Sequence, residues 1–253
     1  MKEAIYIGFD PRECGAFAVA CYSIRKHLSR PIPVEGLVLS HLQRDGLYKR
    51  PTSTKLNGEG RVEIVDELSI RPDYDGRVST WHANARFFIG QLAKTGWALF
   101  LDGDTLIRGD LATEIFDKLD PKYAAYCVKH NHEPTSTTKM DGQVQTRYAR
   151  KNWTSVFALN LDHPANQNLT LEVLNTAPGR DLHAFCWLAD CDIGEIDPKY
   201  NFLVGHSDPA IDPVVIHHTE GVPDMPGFEN VAFADDWRMT RDEWARAALS
   251  LPA

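Results

Sequence analysis

The sequence predicts an α/β fold in which an open, Rossmann-like sheet is flanked by helices, and three observations carry that prediction. The run Trp97-Ala-Leu-Phe-Leu101 is apolar throughout and bounded by turn residues, as a strand buried on both faces should be. It stops at Asp102-Gly103-Asp104, two carboxylates around a glycine, and the carboxyl ends of strands are where ligands bind in open α/β sheets. Near the amino end, Ala4-Ile-Tyr-Ile-Gly-Phe9 reads as another buried strand, closed by Asp10-Pro11. Apolar residues at helical spacing follow it: Phe17, Ala20, Cys21, Ile24 and Leu28. A strand, an acidic turn and a helix are the opening of a nucleotide-binding α/β unit.

The remaining elements follow in chain order. Residues Pro33 to Leu39 read as a strand, whereas Ser40 to Gly60 is polar, carries Arg44, Lys49, Arg50 and Lys55, and reads as irregular. A short strand at Val62–Val65 precedes the turn-rich Arg71-Pro-Asp-Tyr-Asp-Gly76. Ser79 or Thr80 caps a helix predicted to run to about Lys94, burying Trp81, Ala85, Phe88, Ile89 and Leu92, with Arg86 on its other side. Thr105-Leu-Ile107 is a second apolar pulse after the Asp-Gly-Asp turn, followed by a helix around Ala112–Leu119 and a strand at Tyr123–Val128. Lys129 to Asn152 is polar and basic, and is longer than a compact domain normally leaves structureless, which marks it as functional or partly helical. Strands are expected at Ser155–Leu161 and Ile193–Ile196, a helix over Asn166–Leu174 and a turn at Asp197–Asn201. The last buried strand starts at Pro213 and empties into His217 and His218.

Composition narrows the class. At 253 residues, 43% hydrophobic and 25% charged, this is the make-up of an ordinary globular protein, and length alone does not choose between one domain and two. A net charge of -8 argues against a wholly basic nucleic-acid binder. No apolar run reaches the length of a membrane span and no secretory segment follows Met1. The five cysteines include no Cys-x-x-Cys pair, which fits reduced thiols in a cytoplasmic protein.

The chemistry concentrates at strand ends. Asp102 and Asp104 offer hard anionic oxygens for Mg²⁺ or Mn²⁺, and an imidazole from the His217-His218 pair would favour Mn²⁺. Along an extended strand neighbouring side chains face opposite ways, so only one of the two histidines can reach the same ion. Asp10 either accepts hydrogen bonds from a base or ribose or caps the following helix. Arg86 is either solvated or a cation set to meet a phosphate or carboxylate. His130 and His132 alternate without evident partners.

In this order the elements resemble retaining glycosyltransferases of the GT-A fold, most closely glycosyltransferase family 8, the glycogenin and lipopolysaccharide galactosyltransferase group. The resemblance runs from about Ile5 to Gly221. It implies one GT-A domain over residues 1–253 with a mixed, mostly parallel central sheet, a nucleotide-binding half to about 110 and an acceptor side beyond. It implies that Asp10 touches uracil, that Arg86 reaches the donor, and that Asp102, Asp104 and His218 of His218-Thr-Glu-Gly221 hold Mn²⁺ or Mg²⁺. Gly8, Phe9, Gly103, Thr154, Ser155, His183 and Gly221 fall on the donor side, and Asp181 meets donor hydroxyls and the oxocarbenium-like centre as a catalytic residue alongside Asp104. The implied partners are a nucleotide-sugar, of the UDP type, and an acceptor that is a glycan or a hydroxylated DNA base.

The chain departs from the family pattern in three places. Trp153-Thr154-Ser155 stands where the family has Asn-Ala-Gly, and Asp181-Leu182-His183 where it has Asp-Gln-Asp. Asp224-Met225-Pro226 replaces Lys-Pro-Trp, which removes a lysine that would meet the diphosphate. Arg86 or the basic 129–151 segment is the candidate substitute. The altered Asp181-Leu182-His183 and the lost lysine keep open a nucleotide-sugar binding protein without transfer, and two Asp at a strand end also fit a metal-dependent nucleotidyltransferase or hydrolase.

Overall fold

The computed structural model describes residues 1–72, 74–130 and 153–250. The first half contains β1 (Glu3–Gly8), α1 (Cys14–His27), β2 (Val34–Leu37), α2 (Leu39–Arg44), β3 (Thr52–Leu56), β4 (Val62–Arg71) and β5 (Tyr74–Val78). Then come α3 (Ile89–Ala93), β6 (Trp97–Leu101), β7 (Thr105–Ile107), α4 (Leu111–Glu114) and β8 (Ala125–Cys127). The remainder is β9 (Val156–Asn160), α5 (Leu171–Thr176), α6 (Gly179–His183), β10 (Ile193–Glu195), β11 (Phe202–Leu203), β12 (Val215–His217) and α7 (Ala234–Leu249).

The central sheet has the order β10-β8-β9-β6-β1-β2. All its pairings are parallel except those of β9, which runs antiparallel to both β6 and β8. This is the mixed, mostly parallel α/β sheet expected. Its apolar runs are continuous because both faces are covered. Trp97, Leu99 and Leu101 point with Ile5, Ile7, Val156 and Ala158 into a core closed by α1 and α4. Ala98 and Phe100 point with Tyr6, Phe157 and Leu159 into the opposite core, closed by Phe87, Phe88, Leu182 and Phe185. Two small sheets complete the fold, β11-β12-β7 beside the ends of the central strands and β3-β4-β5 to one side.

Several elements differ from expectation. Ser40–Gly60 is not irregular throughout: it contributes the last residues of α2 and all of β3. A six-residue helix that buries only Leu39 and Leu42 is too short to display a period, and β3 is a half-exposed edge strand. The helix expected from Ser79 to Lys94 is instead a run of turns, a 3-10 turn at Ala85–Phe88 and then α3, with no Ser79 or Thr80 cap. Ala85, Phe87, Phe88 and Ile89 are all buried, so this segment passes through the core and does not lie along it as an amphipathic helix would. Trp81 and Leu92 stay partly exposed. The helix expected at Asn166 begins later, as α5, where the Thr170 hydroxyl accepts from the Val173 amide. The Ala112–Leu119 helix divides into α4, capped by Asp110, and a 3-10 turn. The unanticipated α7 packs Trp237 against Ala16 and Val19 of α1. His132 and the basic residues Lys139, Arg147, Arg150 and Lys151 lie outside the described residues. Among the described residues, no helix is long and apolar enough to cross a membrane.

Candidate active site

β1 and β6 lie side by side and parallel, with Ile7 opposite Leu101, so Gly8-Phe9-Asp10 and Asp102-Gly103-Asp104 leave the sheet together. Because β2 flanks β1 on its other edge, the chain order reverses between β1 and β6, which is the topological switch point where open α/β sheets form their crevice. The two turns nearly touch. A Cβ on Gly103 would sit 2.4 Å from the carbonyl oxygen of Gly8, a backbone atom with no freedom to yield. Gly103→Ala is therefore expected to lower the unfolding free energy by about 1–3 kcal/mol and to disturb the acidic turn. A denaturant melt reads the effect, and an unchanged midpoint would contradict the close approach.

Arg86 is held on several sides. Its Nη2 lies 2.9 Å from Asp102 Oδ1 and its Nη1 3.2 Å from Oδ2, while Nε donates to Ala83 O at 2.9 Å and Nη1 to Thr154 O at 2.6 Å. The guanidinium also stands 5.0 Å from the centre of the Phe100 ring. A bidentate fork of this kind fixes the Asp102 carboxylate as well as the arginine. The Asp102 amide in turn donates to Ser155 O at 2.9 Å.

Asp104 is set by the pairing of β7 with β12. That register puts His217 opposite Thr105 and sends the His218 amide to Asp104 O at 3.1 Å. His217 Nε2 then lies 3.2 Å from Asp104 Oδ1 and 4.0 Å from Asp102 Oδ2. The imidazole expected beside the two carboxylates is thus His217 and not His218. His218, the next residue, is not part of the group, although it lines the same cleft. It is 1% exposed, neither ring nitrogen has a hydrogen-bond partner, and burial pushes its pKa down to about 4 against the pull of Asp104.

Asp102, Asp104 and His217 fit a divalent ion. One ligand atom from each lies within 4.8 Å of the others, and two ligands of one ion at about 2.1–2.5 Å can be at most about 5 Å apart. Asp104 Oδ1 is buried without a well-aligned donor, an oxygen that a cation would satisfy. Burial works against ionisation of Asp104, but His217, together with a backbone hydrogen bond and His218, more than offsets it and holds the carboxyl low. Two carboxylates and an imidazole suit Mn²⁺ as well as Mg²⁺.

Around this group opens a cleft of about 270 Å³. Gly8, Phe9, Asp10, Arg86, Asp102, Gly103, Asp104, Thr154, Ser155, His183, His218 and Gly221 all line it. Gly221 is closed in by Phe228, whose ring a Cβ would meet at 2.6 Å. His183 Nδ1 is 2.7 Å from the Thr154 hydroxyl. Asp10 caps the chain locally and also reaches the cleft. Its side chain accepts from the Arg12 amide, capping the 3-10 turn Pro11–Glu13, and its carboxylate faces the cleft clamped by the Arg12 guanidinium, with His82 Nδ1 at 3.7 Å. Burial raises the Asp10 pKa, yet His82 and Arg12 together hold it well below the usual carboxylate range.

Asp181 is the exception. It does not line the cleft but pairs with Arg71 at 2.6 Å, 40% exposed, so the expected contact with donor hydroxyls is not made by this geometry. The helix phase explains it. Leu182 is fully buried in the core beneath α6, which turns Arg180 and His183 towards the cleft and Asp181 away. The structure adds Glu13, Arg12, His82, Arg77 and Arg180 to the cleft and Asn201 beside His217, none of them a candidate from the sequence. Glu13 lines the cleft, and burial with the Asp104 and Asp10 carboxylates pushes its pKa up to about 7. Only its place three residues after Asp10 could have flagged it.

No family model matches the chain. Its fold is that of GT-A glycosyltransferases: the bifunctional glycosyltransferase WbbM aligns over 97% of this chain at a TM-score of 0.58 and 14% identity. This chain spans about half of that one, 51%. The galactosyltransferase LgtC, solved with donor and acceptor sugar analogues, matches over 95% of both chains at a TM-score of 0.54 and 14% identity. GlyE of Streptococcus pneumoniae matches over 100% of this chain and 65% of its own at 0.52, also with 14% identity. In sequence, Protein CDI of Arabidopsis thaliana is 38% identical over 246 residues, 95% of this chain and 86% of that protein. The chain therefore belongs to the family of Protein CDI, built on a GT-A fold like that of glycosyltransferase family 8.

Proposed function

We propose that this chain is a metal-dependent glycosyltransferase that moves a sugar from a nucleotide-sugar, of the UDP type, to a hydroxyl of a glycan acceptor with retention at the anomeric carbon. The observation that carries this reading is the Asp102–Asp104–His217 group at the mouth of the sheet's switch point. A divalent ion bound there would act as a Lewis acid, neutralising the charge that develops on the leaving diphosphate. The chain's own residues do the rest. Arg86 fixes the Asp102 carboxylate and places a cation beside the diphosphate site, as the missing family lysine would. The residues up to about 110 hold the nucleotide, with Asp10 and its Arg12 partner at the base end. Beyond them, Arg180, His183 and Thr154 line the side on which sugar and acceptor meet. A glycan acceptor is favoured because LgtC binds acceptor as well as donor sugar analogues in this fold.

A second reading, nucleotide-sugar binding without transfer, draws on the two residues at the family's Asp-Gln position. Asp181 faces away from the cleft and Leu182 is core, so neither offers a polar group to the anomeric centre. Incubation with a panel of nucleotide-sugars and Mn²⁺, with and without glycan acceptors, separates the readings. Release of UDP or another nucleoside diphosphate that depends on metal and rises with acceptor supports transfer. Nucleotide-sugar binding with no release supports the second reading, and release of pyrophosphate or phosphate would overturn both in favour of nucleotidyl transfer or hydrolysis.

A further inference from the structure

We infer that Asn201 is a positioning residue for the metal-binding imidazole, holding His217 with its proton on Nδ1 so that the Nε2 lone pair faces the ion; this rests on the metal-dependent reading above. Asn201 is fully buried, and its carboxamide is used at both ends. Oδ1 lies 3.1 Å from His217 Nδ1, and Nδ2 donates to the Ser155 hydroxyl at 2.8 Å. A neutral imidazole carries one N–H and one lone pair, and the hydrogen bond made by one nitrogen decides which of them the other presents. With Oδ1 accepting at Nδ1, the nitrogen left facing Asp104 and Asp102 is a lone pair, which is what a cation requires. Turned over, the same amide would put a donor against Nδ1 and leave an N–H at Nε2, which binds no metal.

The fold places this pair by register. Asp197 caps the 3-10 turn Pro198–Tyr200, the Asn201 amide closes that turn onto Pro198 O, and β11 starts at the next residue. β11 then runs parallel to β12 with Leu203 opposite His217, which sets Asn201 alongside the imidazole. Ser155 ties the arrangement to the other ligand strand. Its hydroxyl accepts from Asn201 while its carbonyl accepts from the Asp102 amide. One residue of β9's approach thus anchors both the acidic turn and the histidine, and the carboxamide carries that anchorage to the ring. Outer partners of metal-bound histidines typically contribute about 10–100-fold in metal affinity.

The test measures Mn²⁺ affinity in the presence of UDP, from the loss of the free-ion EPR signal, for the parent chain, Asn201→Leu and Asn201→Asp. Leucine fills nearly the same space without an acceptor, and aspartate restores the acceptor at Nδ1. The expected result is a roughly 10–100-fold weaker Mn²⁺ affinity for Asn201→Leu and recovery to within a few-fold for Asn201→Asp. A residue that merely filled the space would give the reverse order, because the leucine would be tolerated and the buried carboxylate would not; that order overturns the inference. If Asn201→Leu does not fold, Ser155→Ala serves in its place. Freeing the far end of the amide should weaken Mn²⁺ binding several-fold, and an unchanged affinity overturns the inference. Failure of the parent chain to bind Mn²⁺ would remove the metal-dependent reading itself, whereas parental binding that Asn201→Leu leaves untouched would remove this inference alone.

Discussion

Asp104→Ala is expected to lower metal-dependent sugar transfer by about 10³-fold or more in kcat/KM while leaving the fold in place. Charge stabilisation by a bound ion contributes several kcal/mol to the transition state, and about 4 kcal/mol corresponds to that factor. Asp104 carries much of it because its Oδ1 is buried without an aligned donor and is aimed, with His217 Nε2, at the same space. The fold should survive because the β7–β12 pairing that carries Asp104 is made by backbone groups, which alanine retains. Asp10, Glu13 and Asp102 also crowd the cleft, so removing one acid relieves repulsion. Addition of a chelator to the parent chain should reproduce the loss. A variant with parental kcat/KM, and a parent indifferent to chelator, would remove the metal from the mechanism.

Asp66→Ala is expected to destabilise the chain by about 3–5 kcal/mol, read as a shift of the denaturant midpoint with little change in slope. Arg50 and Asp66 are both fully buried, joined at 2.9 Å, and alanine would leave the guanidinium without its counter-charge. More than one pair is lost. Asp66 Oδ2 also accepts from the Ser69 hydroxyl and the Gly179 amide, and Arg50 Nη1 donates to Leu174 O. This network pins β4 to α5 and α6, and so sets Gly179, Arg180 and His183 at the edge of the cleft. The double replacement Arg50→Met with Asp66→Leu should recover only the part due to the stranded guanidinium, because the Ser69 hydroxyl and the Leu174 carbonyl still lose a buried partner. If Asp66→Ala alone melts like the parent, the pair is not holding these elements.

The inner strands of the central sheet were legible because their middles are short runs buried on both faces with no polar position within them: Ile5–Ile7, Trp97–Leu101 and Val156–Leu159 are the clearest. The helical segments were less so. α2, α4 and α6 each bury only two residues, which is too few to show a period, and Ala85–Ile89 runs through the core with its apolar residues adjacent. Arg50 looked like one more cation in a polar stretch. Its burial follows from a partner sixteen positions on and a carbonyl in α5, neither visible in its surroundings in sequence.

The sequence alone determined where the chemistry gathers. An apolar strand that stops at Asp102-Gly103-Asp104 must deliver both carboxylates to the sheet's carboxyl edge, because the strand's interior leaves them nowhere else to go. The opening strand carries Asp10 to the same edge for the same reason. Only the tertiary structure decided which histidine meets them and what Asp181 does. Adjacent residues on a strand face opposite ways, so a motif spacing that is correct to within one residue still cannot choose a side. The register of β7 on β12 selected His217, and the burial of Leu182 turned Asp181 outward to Arg71.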